Sequence, residues 1–356
     1  MVDPFLLLVA VVLCTLAFDY VNGFHDTANA IATVVSTNVL PPRTAVILAA
    51  LFNFLGAFMG TGVAKTIGSD IADPVSITQT VVLSALMGAI TWNLITWYFG
   101  IPSSSSHALV GGIIGAVATH RVLDESQTLV PTLVGLFESK GVLKVLKGLV
   151  LSPLAGFLVG FVVMIALYWI ARGRSPSRIS KVFRRLQLVS ASLMALSHGH
   201  NDAQKAMGIM TMALVAYYSK QPPADAPRWL VLGPDMVVPT WVIIACASAM
   251  AAGTAAGGWR IMKTMGHKII KLRPINGFAA ETAGATVILV ASEMNVPVST
   301  THVISSAIMG VGASNRVSAV RWGIAGNIVV AWILTIPISA LVAAGCYLVL
   351  RAPFGA

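Results

Sequence analysis

Residues 5–20, 44–63, 79–99, 149–170 and 320–350 are nearly uninterrupted apolar runs that approach or exceed the roughly 20 residues needed to cross a bilayer's hydrocarbon core. Only 10% of the 356 residues are charged and 56% are apolar, whereas soluble domains carry about 25% charged residues. In hydrocarbon the backbone must satisfy its own hydrogen bonds, and runs of this length do so as helices. The chain is therefore expected to be an all-α integral membrane protein crossing the bilayer several times.

The formal net charge is +10, but the basic residues are placed as membrane topology would place them. Residues 172–185 hold Arg172, Arg174, Arg178, Lys181, Arg184 and Arg185, and residues 260–273 hold Arg260, Lys263, Lys268, Lys271 and Arg273. Neither segment contains an acid, so both are expected in the cytoplasm. The segment 65–77, with Asp70 and Asp73, and the segment 220–238, with Asp225 and Asp235 against Arg228, are expected outside. The aromatic and basic modules of nucleic-acid readers are missing, so no nucleic-acid partner is expected. Cys14, Cys246 and Cys346 are unpaired in spacing and point to neither disulfides nor cysteine metal sites. The first apolar run lacks a basic start and a small-residue cleavage site, and reads as a transmembrane helix rather than a signal peptide.

Two motifs occur twice, in the same order. Gly23-Phe24-His25-Asp26 is matched by Gly199-His200-Asn201-Asp202, and Ile101-Pro102-Ser103-Ser104-Ser105-Ser106-His107 by Val296-Pro297-Val298-Ser299-Thr300-Thr301-His302. The segment between the motifs is mildly acidic in the first copy and strongly basic in the second, so the halves are expected to point in opposite directions. This predicts inverted-topology repeats over residues 1–170 and 186–356, joined by a basic cytoplasmic linker at 171–185, with broken helices near the bilayer midplane. Two re-entrant serine-rich hairpins would turn at Pro102 and Pro297. The arm from 302 to 313 is about 18 Å long at 1.5 Å per residue, too short for a core of about 30 Å. Both termini then fall outside the cytoplasm.

Asp26 and Asp202 lie inside apolar spans, where a charge is costly and calls for a partner. Each also follows a glycine and could cap a helix. As a matched pair they read as a cation site or a proton carrier. An unwound segment at 23–26 would add carbonyl oxygens, and Asn22, Asn29 and Asn201 would add amide oxygens, a set suited to hard cations. His25 stands where the second copy has Asn201, and its ordinary titration range makes the proton a candidate. Ser103, Ser104, Ser105, Ser106, Ser299, Thr300 and Thr301 offer hydroxyls at helix starts whose free N–H groups attract anions. His107 and His302 can donate to the anion or hold the hairpins. Gln204, Lys205, Asn53, Asn93, Asn327 and Glu281 are further polar residues among apolar neighbours. Lys205 can neutralise an acid, touch the substrate, or pair structurally with Asp202 or Glu281, while Glu281 is expected to snorkel to the interface. Gly111, Gly112, Gly115, Gly310 and Gly312 permit close helix packing.

GFHDTANAIATVVST from Gly23, GHNDAQKAMGI from Gly199 and the paired serine turns resemble the duplicated signature of the PiT inorganic phosphate transporter family. The resemblance spans nearly the whole chain. It implies inverted repeats with two re-entrant hairpins, a multi-pass place in the bacterial inner membrane, a homodimer, and import of inorganic phosphate, free or as a metal complex. It also implies symport with sodium or protons, with no other cofactor. By position, Asp26, Asn29, Asn201 and Asp202 are the implied cation residues, and Ser104, Ser105, Thr300 and Thr301 the implied phosphate residues. Sodium, if it is the coupling ion, would be held by Asp26 and Asp202. Phe24 and His25 depart from the family's usual Ala-Asn pair, which favours protons over sodium.

Sulfate is the competing oxyanion, but phosphate carries a donor hydroxyl near neutral pH that a carboxylate can accept, and sulfate does not. An intramembrane enzyme would need the serines and His107 or His302 as nucleophile and base, yet Ser106 and His107 are adjacent on a helix and do not face each other. A passive anion channel fits poorly with buried acids.

Overall fold

The computed structural model describes residues 3–70, 77–220 and 237–354, and every regular element among them is helical. The first half runs α1 (Pro4–Ser36), α2 (Pro42–Gly56), a short α3 (Gly62–Lys65) continued by a π turn (Thr66–Asp70), α4 (Gln79–Phe99), α5 (Ser105–Asp124), α6 (Leu129–Glu138) and α7 (Lys140–Ala171). The second runs α8 (Pro176–Lys220), α9 (Thr240–Ala256), α10 (Trp259–Lys263) continued by a π turn (Thr264–Lys268), α11 (Pro274–Glu293), α12 (Thr300–Asn315) and α13 (Trp322–Phe354). With α6 set aside the two series share one order, and the packing exchanges with it: α1 lies against α9 and α8 against α2, α5 against α13 and α12 against α7.

Among the described residues α1, α4, α7, α11 and α13 are long and apolar enough to cross a membrane, and α9 with the helix after it forms a bent pair at 57° that qualifies as one span. The run 44–63 is not one helix: α2 ends at Gly56, and a turn precedes α3. Nor are the basic segments loops throughout: Arg172 and Arg174 lie in the link before α8 and Lys271 and Arg273 in the one before α11, but the rest are helical. Pro176 starts α8 at a position that needs no N–H, so Arg178, Lys181, Arg184 and Arg185 sit on its opening turns. Arg260 and Lys263 belong to α10. Asp73, Asp225, Arg228 and Asp235 lie outside the described residues.

The expected unwinding at the duplicated Gly-x-x-Asp motif does not occur. Helix α1 passes unbroken through Gly23–Asp26 and α8 through Gly199–Asp202, so neither carboxylate caps a helix and no motif carbonyl is freed for a cation. The glycines serve a crossing instead. A Cβ on Gly23 would lie 2.4 Å from the Met250 carbonyl oxygen of α9, and one on Gly253 2.0 Å from that of Tyr20. In the other half a Cβ on Gly199 would lie 2.2 Å from the Asn53 carbonyl oxygen, and one on Gly56 2.1 Å from that of Leu196. Each glycine costs its helix about 1 kcal/mol in propensity, which the close backbone approach offsets.

The two serine turns are built alike. Helix α4 stops at Gly100 in the left-handed region (φ 66°), two residues before Pro102, and the chain after α11 passes through Asn295 (φ 55°), two residues before Pro297. Glycine and asparagine are the residues that accept this conformation. Ser104 then caps α5 by accepting from the His107 N–H at 3.2 Å, and Ser299 caps α12 by accepting from the His302 N–H at 3.2 Å. Helix α12 extends beyond the expected 302–313 arm at both ends, yet at about 24 Å it still falls short of a hydrocarbon core of about 30 Å. The small residues after the turns pack as expected: a Cβ on Gly115 would meet the Ala340 carbonyl at 2.0 Å, and one on Gly310 the Phe157 carbonyl at 2.1 Å.

Candidate functional site

The starts of α5 and α12 converge on the middles of α1 and α8. Ser105 Oγ, with one proton to donate, lies 2.9 Å from Asp26 Oδ2 and 2.5 Å from Asn22 Oδ1. Thr301 Oγ1 donates to Asp26 Oδ1 at 3.4 Å, and Thr300 Oγ1 to Asp202 Oδ2 at 3.2 Å. Asn29 Nδ2 donates to Thr301 Oγ1 at 2.9 Å and Thr300 Oγ1 at 3.3 Å, which draws the second hairpin onto α1. All of these side chains are buried. Residues far apart in sequence thus form one polar centre inside an apolar bundle.

Each acid also has basic company. His25 Nδ1 lies 2.6 Å from Asp26 Oδ1, and its Nε2 lies 3.0 Å from Thr96 Oγ1. Lys205 Nζ, fully buried, donates to Asp202 Oδ1. His198 Nε2 lies 3.3 Å from Asp202 Oδ2. Asp26, His198 and Asp202 together place one ligand atom each within 4.8 Å of one another, a buried group able to hold a cation. Asn29 Oδ1, Asn22 Nδ2 and Asn201 Oδ1 have no hydrogen-bond partner among the described residues.

The remaining residues singled out in the sequence distribute unevenly. Ser103 Oγ donates to Thr96 Oγ1 at 2.8 Å, and Ser106 Oγ donates to the Val298 carbonyl at 3.4 Å, tying one hairpin to the other. His107 and His302 face each other with ring centroids 4.8 Å apart, and His302 stacks on Trp332 at 3.9 Å. Asn201 Nδ2 reaches Ser292 Oγ at 3.4 Å. Gln204 lies elsewhere: its Oε1 accepts from the N–H groups of Val63 and Ala64 at 2.7 and 3.2 Å, closing the start of α3. Asn53 joins Thr254 and His198, Asn93 is buried, and Asn327 is exposed on α13.

Glu281 does not snorkel. It is fully buried, and its carboxylate accepts from Thr33 Oγ1 at 2.5 Å, Gln187 Nε2 at 3.0 Å and Ser190 Oγ. Helices α1 and α8 close over the start of α11 there and remove the route to the interface. Lys205 is therefore the partner of Asp202 and not of Glu281. Sequence reasoning missed His198, although it stands four residues before Asp202 on the same helical face, where a side chain can reach an acid. Thr96 is also part of the centre, and only the fold brings it to His25.

Comparison with known proteins agrees with this architecture. The model of the phosphate transporter family matches residues 22–343. The chain is 48% identical over 351 residues to a probable low-affinity inorganic phosphate transporter of Bacillus subtilis (strain 168), with 98% of each chain covered. It is 49% identical over 344 residues to a protein of the same description from Rhizobium meliloti (strain 1021), covering 96% of each. A solved structure titled "The sodium-dependent phosphate transporter" superposes with a TM-score of 0.79 over 97% of this chain and 99% of that one, at 24% identity, and shares the fold. With a family match from Asn22 to Ala343 and relatives that align end to end, the chain belongs to the phosphate transporter family.

Proposed function

We propose that the protein is a secondary symporter that imports inorganic phosphate across the bacterial inner membrane together with protons. The observation that carries this reading is the meeting of two hydroxyl-bearing helix starts, at Ser105 and at Thr300 and Thr301, with the paired carboxylates Asp26 and Asp202. Free N–H groups and hydroxyls at helix starts suit a tetrahedral oxyanion, and the carboxylates exclude that anion unless a cation accompanies it. Phosphate can also donate its own hydroxyl to a carboxylate. The names of the relatives, low-affinity inorganic phosphate transporters, support the same substrate.

Protons are favoured over sodium because both acids already face resident basic groups, His25 at Asp26 and Lys205 with His198 at Asp202. A proton needs one lone pair, whereas sodium needs a shell of several oxygens. Residues 1–170 and 186–356 form the two inverted repeats in this reading, supported by their matching element order and exchanged packing. The termini lie outside and the opening turns of α8 in the cytoplasm.

The test is uptake of radiolabelled phosphate into proteoliposomes under imposed proton or sodium gradients, with unlabelled sulfate as competitor. Wild-type uptake is expected to follow the proton gradient and to resist sulfate. Asp26→Asn and Asp202→Asn are each expected to lower it by about tenfold or more, the scale of one lost transition-state or binding interaction. Sulfate uptake in place of phosphate would overturn the substrate, and uptake driven by sodium alone would overturn the coupling ion.

A further inference from the structure

Asp19 is used by nothing described so far. It lies on α1 seven residues before Asp26, so the two carboxylates share one helix face about 10 Å apart along the axis. Its side chain is 0% exposed, and neither Oδ1 nor Oδ2 has a hydrogen-bond partner among the described residues. The other buried acids of the core are all met: Asp26 by Ser105 and His25, Asp202 by Lys205, Glu281 by Thr33, Gln187 and Ser190. The charged groups that face Asp19 are Asp202 and Lys205 from α8, with the Cys246 thiol from α9. Asn22, one turn on, turns its amide toward Asp19, a neutral neighbour that supplies no balancing charge.

Lys205 is committed to Asp202, so its charge is not released to Asp19 in this arrangement. An ionised carboxylate at Asp19 would hold a buried charge with no cation of its own, near a second acid. A protonated carboxyl removes that charge. A side chain stable as a neutral acid here, and ionisable when water or a cation reaches it, has the properties of a proton acceptor within a membrane protein.

We propose that Asp19 carries a transported proton, as a station separate from Asp26 and Asp202 and on the side of the centre nearer the start of α1. A hydronium reaching the ionised Asp19 gives its proton to a carboxylate oxygen and leaves as water, and the neutral acid later passes that proton to a basic acceptor at the centre. Each transfer breaks one O–H bond as another O–H or N–H bond forms. This inference rests on the proton-coupled reading above and adds a residue to it.

The experiment compares wild type, Asp19→Asn and Asp19→Glu in proteoliposomes by two assays. One is net phosphate uptake driven by a pH gradient, with the internal pH followed by a trapped dye. The other is exchange of radiolabelled for unlabelled phosphate at equal phosphate and equal pH on both sides. Asp19→Asn mimics the protonated acid and is expected to keep exchange within about twofold while losing about tenfold or more of net uptake and of its proton signal. Asp19→Glu is expected to recover much of both. In the infrared, a protonated-carboxyl band of the wild type should vanish in Asp19→Asn and shift in Asp19→Glu. If Asp19→Asn does not yield a monodisperse protein, the shift of that band in Asp19→Glu decides. Net uptake and proton signal equal to wild type in Asp19→Asn, loss of both assays together in a monodisperse variant, or no such band would overturn the proposal. Wild-type uptake driven by sodium alone would overturn it along with the proton reading while leaving phosphate transport standing. Wild-type protein that neither takes up nor exchanges phosphate would overturn the substrate reading as well.

Discussion

Lys205 and Asp202 show how much one residue can depend on another in this setting. Both are fully buried and joined on adjacent turns of α8. Removing one partner from such a pair is far more costly than removing both. Lys205→Met is therefore expected to destabilise the protein by about 3–5 kcal/mol, and adding Asp202→Asn is expected to recover most of the loss. Thermal unfolding in detergent measures both. At this scale the sequence was partly legible. Asp26, Asp202 and the serine turns announce themselves because each motif is short, repeated and set in apolar surroundings. The fate of Glu281 was not legible, because its partner Thr33 is 248 residues away and only the packing of α1, α8 and α11 brings them together. Sequence gives an acid beside an apolar run, but its donors come from two other helices, α1 and α8.

At the scale of elements, continuity through Gly23 and Gly199 is decided by neighbours rather than by local propensity. A glycine ahead of polar residues reads locally as a break, and α9 and α2 need that same glycine for their approach. Gly199→Ala places a Cβ 2.2 Å from the Asn53 carbonyl oxygen and 2.5 Å from the Asn53 Cα, neither of which can rotate aside. It is expected to cost about 1–3 kcal/mol, the range for overpacking. Gly326→Ala on α13 meets nothing within 4 Å and is expected to be neutral or to stabilise by up to about 1 kcal/mol. Melting temperatures of the two variants against wild type separate a crossing from a generic glycine effect. By contrast, α4 was legible to the residue, because Thr78 caps it and Gly100 ends it with chain-local signals.

Across the whole molecule, the proposed orientation rests on where the charges lie. Arg178 at the opening of α8 and Gln127 before α6 are both exposed, and the proposed topology puts them on opposite sides. With Cys14, Cys246 and Cys346 replaced by alanine, a membrane-impermeant maleimide is expected to label Gln127→Cys in intact cells. Arg178→Cys is expected to react only after permeabilisation. The reverse pattern would invert the topology. The duplicated motifs were legible in the sequence, while the exchange of packing partners between the two series of helices needed coordinates. That exchange is also imperfect where it matters most. Asn22 in one half stands where the other has His198, His25 where it has Asn201, and Asn29 where it has Lys205. In a machine whose two access states are produced by its halves trading shapes, identical halves would make those states equal in energy. In the proposed symport cycle, an ammonium on one side and an amide on the other weights the seesaw, and the unloaded protein is expected to rest with one door preferentially open.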